Sequence, residues 1–234
     1  MKVQWRVELS QLALIASMFL IAAVSWSRVP DTIPTHWNGY GEVDDYGGKF
    51  TGLLLLPLVS LTIYLSNFIT LNTLSVALPG VLNHNTAGRV YSAFRIASIF
   101  LLSMIYAAMA MAAWGRPVNV TSASLIGMGV LVMAVGNFLG KIRPNWVVGV
   151  ITPWTLASRE SWNKTHRLSG WLSIVMGLLI AATGIIWTTW MLAVLILACL
   201  LSVVAVIAYS YVVYLDDPHP VPPAWPFPGA KSRG

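Results

Sequence analysis

The chain is poor in charge. Of its 234 residues only 9% are Asp, Glu, Lys or Arg, against 57% hydrophobic. A soluble domain carries about a quarter charged residues, so this composition excludes an ordinary soluble fold. Cysteine is scarcer still. Cys199 is alone and sits in an apolar run, which rules out an intramolecular disulfide and any Cys-x-x-Cys metal or redox site. Also missing are a Gly-x-Ser-x-Gly elbow, a His-Glu-x-x-His pair and a phosphate-binding P-loop. Ser158 and Ser161 precede His166 by eight and five residues, off the helical i+3 and i+4 neighbours. No catalytic residue, cofactor or metal ligand set is therefore expected.

What the chain has is long apolar runs. They are continuous and do not alternate with period two, so helices rather than a membrane barrel are expected. Six spans are placed at about 9–27, 51–72, 91–113, 121–140, 170–188 and 190–214. The second could extend to Leu78, before Pro79-Gly80. Residues 170–214 are too long for one crossing, and Trp187-Thr188-Thr189-Trp190 supplies a turn at an interfacial aromatic belt. Trp26 spoils a signal-peptide cleavage site, so the first run is read as a retained span. The fold class is all-α: a polytopic six-helix transmembrane bundle.

The net charge of +6 orients the bundle. With the N-terminus inside, Lys2, Arg6, Arg89, Arg95, Lys141, Arg143, Arg159, Lys164, Arg167, Lys231 and Arg233 are cytoplasmic, and only Arg28, Lys49 and Arg116 lie outside. That bias puts both termini in the cytoplasm of a multi-pass cell-membrane protein. Glu8 and Arg95 fall near the cytoplasmic ends of spans, where side chains can snorkel. Asn67 and Asn137 are the polar groups expected to bond across helices.

Four of the eight acids (Asp31, Glu42, Asp44 and Asp45) fall in one outer loop, residues 28–50. Pro30 and Pro34 hold its start extended, and Gly39, Gly41, Gly47 and Gly48 permit tight turns. An ordered loop without regular structure is expected, bringing His36, Trp37, Asn38, Glu42, Asp44 and Asp45 close together. Three readings stay open: a self-packed lid, a recognition surface for a cationic or amphipathic peptide, and a cation site.

The inner segment 141–169 is the second informative connection. Gly136 and Gly140 are spaced for close helix packing, and Arg143-Pro144 and Thr152-Pro153 break the helix. Ser158 is an N-cap candidate for a short helix through Arg167, with Trp154, Trp162, Trp171, Lys164 and Arg167 suited to the headgroup region. It reads either as a docking surface or as a membrane-surface helix that seats spans four and five. The tail 215–234 is Pro-rich and reads as extended or disordered.

The two segments together resemble the SdpI immunity-protein family of bacterial membrane proteins. Pro34, His36, Trp37, Asn38, Gly41, Glu42, Asp44, Tyr46, Gly47 and Lys49 match its first module. Gly136, Asn137, Gly140, Lys141, Arg143, Pro144, Asn145, Thr152–Leu156, Trp162, Lys164, Thr165, His166 and Arg167 match its second. Ile151 stands where the family usually has Arg, and Asp45 where it usually has Gly.

The resemblance implies immunity or sensing of a secreted membrane-active peptide toxin, coupled to a cytoplasmic repressor. His36, Trp37, Asn38, Glu42, Asp44 and Lys49 would be ligand-binding. Arg143, Asn145, Trp154, Trp162, Lys164, His166 and Arg167 would be partner-binding. Membrane lipids are the remaining expected partner, and no direct nucleic-acid contact is expected. The modules expected are 1–72, 73–120 with span three, 121–214, and the tail 215–234. A small-solute permease or channel, with Asn67 and Asn137 lining a polar cavity, is the alternative.

Overall fold

The computed structural model describes residues 5–77, 84–144, 148–186 and 190–222. Six helices are long and apolar enough to cross a membrane, and the chain is a multi-pass helical membrane protein. The elements run α1 (Trp5–Ser25), β1 (Thr32–Trp37), β2 (Val43–Gly48), a π-helical turn (Phe50–Leu54), α2 (Leu55–Ala77), α3 (His84–Ala113), α4 (Val120–Leu139), α5 (Pro153–Ala157), α6 (Arg159–Ile185) and α7 (Met191–Asp216). Trp5 and Trp26 are both exposed at the ends of α1. At 1.5 Å per residue they stand about 30 Å apart, the thickness of a hydrocarbon core.

The helices pack as two blocks. α1, α2 and α3 form one, and α4, α6 and α7 form the other, with α3 against α4 as the joint. In the second block α4 and α6 are the most closely engaged pair. Their seam is built from glycines at seven-residue spacing. A Cβ at Gly129 would lie 2.5 Å from the Gly177 carbonyl, and one at Gly136 would lie 2.8 Å from the Gly170 carbonyl. Gly184 meets the Ser122 carbonyl in the same way at 2.8 Å. Only hydrogen lets the backbones approach so far, which is how helices gain packing energy where lipid supplies no hydrophobic drive. Gly136 was expected here; Gly170, Gly177 and Gly184 were not.

The first block is held differently. Glu8 of α1 and Arg95 of α3 form an ion pair with both side chains buried. Arg95 Nε donates to Gln11 Oε1 at 2.8 Å, and the Tyr64 hydroxyl of α2 donates to Glu8 Oε2 at 2.8 Å. The guanidinium also lies 4.9 Å from the Tyr64 ring centre. The expected snorkelling is therefore corrected. These charges turn inward and satisfy each other, because a partner across the helices is nearer than water.

Two further expectations change. Residues 159–169 are not a separate short helix; they continue directly into the span as the first three turns of α6, with no Gly or Pro to interrupt them. At 27 residues α6 is about 40 Å long, so its polar start projects beyond the hydrocarbon core. Among the described residues Asn67 and Asn137 make no bond across helices. Asn67 donates to the Ile63 carbonyl of its own helix, and the exposed Asn137 accepts from Lys141. The Trp187 turn and the tail beyond Pro222 lie outside the described residues.

Candidate functional site

The segment 28–50 forms a β-hairpin, not the irregular loop expected. β1 and β2 pair antiparallel from Thr32–Gly48 to Trp37–Val43, with irregular register on either side of His36. Its base is pinned to the bundle. Ile33 is buried against Ala22, Val29, Leu53 and Ala113. Gly52 in the π-helical turn leaves the space that the Ile33 side chain fills. Lys49 closes the base with an ion pair to Asp31 at 3.0 Å.

The tip is organised by Asn38. Its Oδ1 accepts the amides of Tyr40 at 2.9 Å and Glu42 at 3.0 Å, while its Nδ2 donates to Glu42 Oε2 at 3.1 Å. Gly41 takes φ +82°, a conformation that glycine adopts without cost. The Asn38 carbonyl accepts the Thr121 hydroxyl at 3.1 Å, and Gly41 packs close to Asn119, the N-cap of α4. The hairpin thus rises from the first block and rests its tip on the second. Trp37 packs into the cluster of Ala108, Met109 and Val120 at the joint.

Of the six expected ligand residues, four are committed to this frame: Trp37, Asn38, Glu42 and Lys49. The other two face solvent. His36 Nδ1 donates to Asp44 Oδ1 at 2.6 Å, with side chains 67% and 41% exposed. Asp45, Tyr40 and Tyr46 are exposed on the same hairpin. An imidazole, carboxylates and phenol rings together can bind a cationic group and cover apolar surface. Among the described residues, no three His, Cys, Asp or Glu side chains are grouped to hold a metal ion.

At the opposite end, the segment before α6 is a chain of caps. Thr152 accepts the Thr155 amide at 3.1 Å and Thr155 accepts the Thr152 amide at 2.9 Å, a reciprocal capping box with Pro153 at the first helical position. Ser158 then caps α6 by accepting the Ser161 amide at 3.0 Å. Its hydroxyl donates to Asp217 Oδ2 at 2.6 Å, and the Arg159 amide donates to the Val221 carbonyl at 3.0 Å. The chain just after α7 is therefore laid across the start of α6: residues 217–222, expected to be extended or disordered, form no helix or strand and are anchored by these two bonds. The Thr-Pro-x-Thr spacing could have been read as this box; the role of Asp217 left no signal.

His166 and Trp162 are buried, at 1% and 0% exposure. The rings stack 4.1 Å apart. Trp162 Nε1 donates to the Ile142 carbonyl at 3.0 Å. His166 Nε2 accepts the Val150 amide at 3.0 Å, so Nδ1 carries the proton and donates to the Trp162 carbonyl at 2.8 Å. Both ring nitrogens are spent on backbone, and Ser161 Oγ donates to the Ser210 carbonyl, so no serine–histidine couple forms. Trp154 is half-buried against Tyr211. The exposed members of the expected partner set are Arg143, Lys164 and Arg167, and Lys164 is paired with Glu160 at 2.6 Å. Asn145 lies outside the described residues.

Known proteins agree with the two motifs. Residues 13–61 match a domain of unknown function, DUF1648, and residues 141–210 match the SdpI/YfhL protein family. The chain is 24% identical over 196 residues to the immunity protein SdpI of Bacillus subtilis (strain 168), covering 84% of this chain and 90% of that one. No solved structure matches it significantly. One match falls on the hairpin and the helices beside it, the other on the capped junction, and the long similarity to the immunity protein spans both.

Proposed function

We propose that this protein is a non-catalytic membrane immunity or sensing protein whose hairpin recognises a secreted, membrane-active peptide. The observation that carries this reading is the contrast within the hairpin. Asn38, Glu42 and Lys49 are consumed in holding it still, while His36 and Asp44 stay paired with each other and exposed. A rigid frame lowers the ordering cost of binding, and a cationic amphipathic peptide is complementary to the acids and the tyrosines. Similarity to an immunity protein supports the biological setting.

The basic bias puts the hairpin outside and the capped junction in the cytoplasm. There the exposed Arg143, Arg159 and Lys164 form the face offered to a cytoplasmic repressor, shaped from below by Trp162 and His166. The permease reading drew on Asn67 and Asn137, and their local bonds give it no support.

The test is tolerance. A susceptible strain expressing the chain should survive a secreted membrane-active peptide toxin better than the same strain without it. His36→Ala and Asp44→Asn should lower that survival at unchanged protein level. Full survival with both variants would overturn the role of the hairpin.

A further inference from the structure

We propose that the junction of α4 and α6 carries a seat for the phosphate of an anionic lipid headgroup, formed by Lys141 and Arg167 above Trp171. The glycine seam brings these residues together. A Cβ at Gly140, the residue before Lys141, would lie 3.5 Å from the Arg167 Cα. Asn137 lies in the last turn of α4 and Lys141 in the turn just beyond it, joined to Asn137 by its side chain; Lys164, Arg167 and Trp171 form one stripe along α6. Counted at 3.6 residues per turn from Gly136 and Gly170, in helices that run antiparallel, Asn137 and the α6 stripe fall on the same side of the seam.

The charges on this side are unspent. Lys141 Nζ donates to Asn137 Oδ1 at 3.2 Å and lies 5.6 Å from the Phe138 ring centre. Among the described residues neither Lys141 nor Arg167 is paired with a carboxylate, whereas Lys164, one turn further out, is already neutralised by Glu160. The free positive charge is thus confined to one level of the stripe. Directly below that level the stripe becomes apolar, with Trp171, Val175 and Leu178 all exposed. A ligand at this place meets a cationic pair above and a lipid-facing surface beneath. A soluble acidic protein satisfies only the upper half; a lipid satisfies both.

The experiment is native mass spectrometry of the full chain, released from micelles that contain equal phosphatidylglycerol and phosphatidylcholine. Phosphatidylglycerol should be retained in preference. Lys141→Gln and Arg167→Gln should each reduce its retention about fivefold, and the double variant about thirtyfold, as expected for one surface basic group each. Arg159→Gln removes the same charge at the same end of the bundle and should leave retention unchanged. The Lys141→Arg, Arg167→Lys exchange should keep the lipid and shows that loss is not misfolding.

An Arg159→Gln effect equal to that of Arg167→Gln would overturn the seat in favour of diffuse attraction. So would loss of the lipid in the charge-conserving exchange. Displacement by inorganic phosphate would overturn the lipid as occupant, and displacement by a polyglutamate peptide would do the same in favour of a protein.

Discussion

Glu8 and Arg95 sit 87 residues apart in sequence and form one buried ion pair between α1 and α3. The pair is closed by Gln11 and by the Tyr64 hydroxyl, so three helices share it. Removing one partner leaves the other charge buried and alone, at a cost of about 3–5 kcal/mol in comparable soluble cases. Arg95→Gln and Glu8→Gln are expected to lower unfolding stability strongly in mixed micelles. The double variant Glu8→Leu, Arg95→Met should lose much less than the sum of the two. Additive losses would show that the two side chains do not act as a pair.

At the hairpin, strength and exposure separate. His36→Ala changes an exposed site and should shift stability by no more than about 0.5 kcal/mol. Ile33→Ala empties a buried site and should cost about 2–5 kcal/mol. Thermal unfolding in detergent would rank them. The same pair of variants tests function, since only His36→Ala should lower peptide tolerance at full protein level.

Gly149 takes φ +134°, and a Cβ there would run into His166 Nε2. Gly149→Ala must both strain the backbone and displace the ring that accepts the Val150 amide. Backbone strain alone is worth about 1–3 kcal/mol. A reduced melting midpoint is expected, together with faster amide exchange at Val150. A wild-type exchange rate at Val150 would mean that the ring does not hold that amide.

The glycine seam makes a comparison within one residue type. Gly177→Ala would set a methyl 2.6 Å from the Gly129 carbonyl and should part α4 from α6, whereas Gly48→Ala in the hairpin meets nothing within 4 Å. Disulfide trapping between cysteines placed along the two helices should slow in the first variant and not in the second. Equal trapping in both would argue that the seam is looser than drawn.

The six spans were legible because apolar runs of membrane length have few other uses. The hairpin was not, and its strands explain why. Val43-Asp-Asp-Tyr-Gly-Gly48 has little β propensity, and Pro34 removes a ladder donor from β1. The strands pair because Ile33 is buried in the bundle, Lys49 closes the base on Asp31 and the Asn38 carbonyl is held by Thr121. The continuity of α6 was hidden by a drop in hydropathy over 159–169, although nothing in that stretch breaks a helix. His36 and Asp44 stand out as candidates by residue type, and the structure pairs them on the exposed face. Their separation from Asn38 and Glu42 depends on strand geometry that spacing alone does not carry. The Glu8–Arg95 pair was out of reach for the same reason: nothing local connects position 8 with position 95.

The two-block packing bears on how the halves of the chain are held against each other. Among the described residues α1 and α2 make no substantial contact with α4, α6 or α7, and the link from Ala113 to Val120 is short and exposed for most of its length. Each block carries its own internal fastening, one of charge and one of glycine. The two meet again twice, where α3 lies against α4 and where the Asn38 carbonyl takes the Thr121 hydroxyl. The hairpin therefore acts as a brace across the joint, and a ligand that shifts it would bear on both blocks at once.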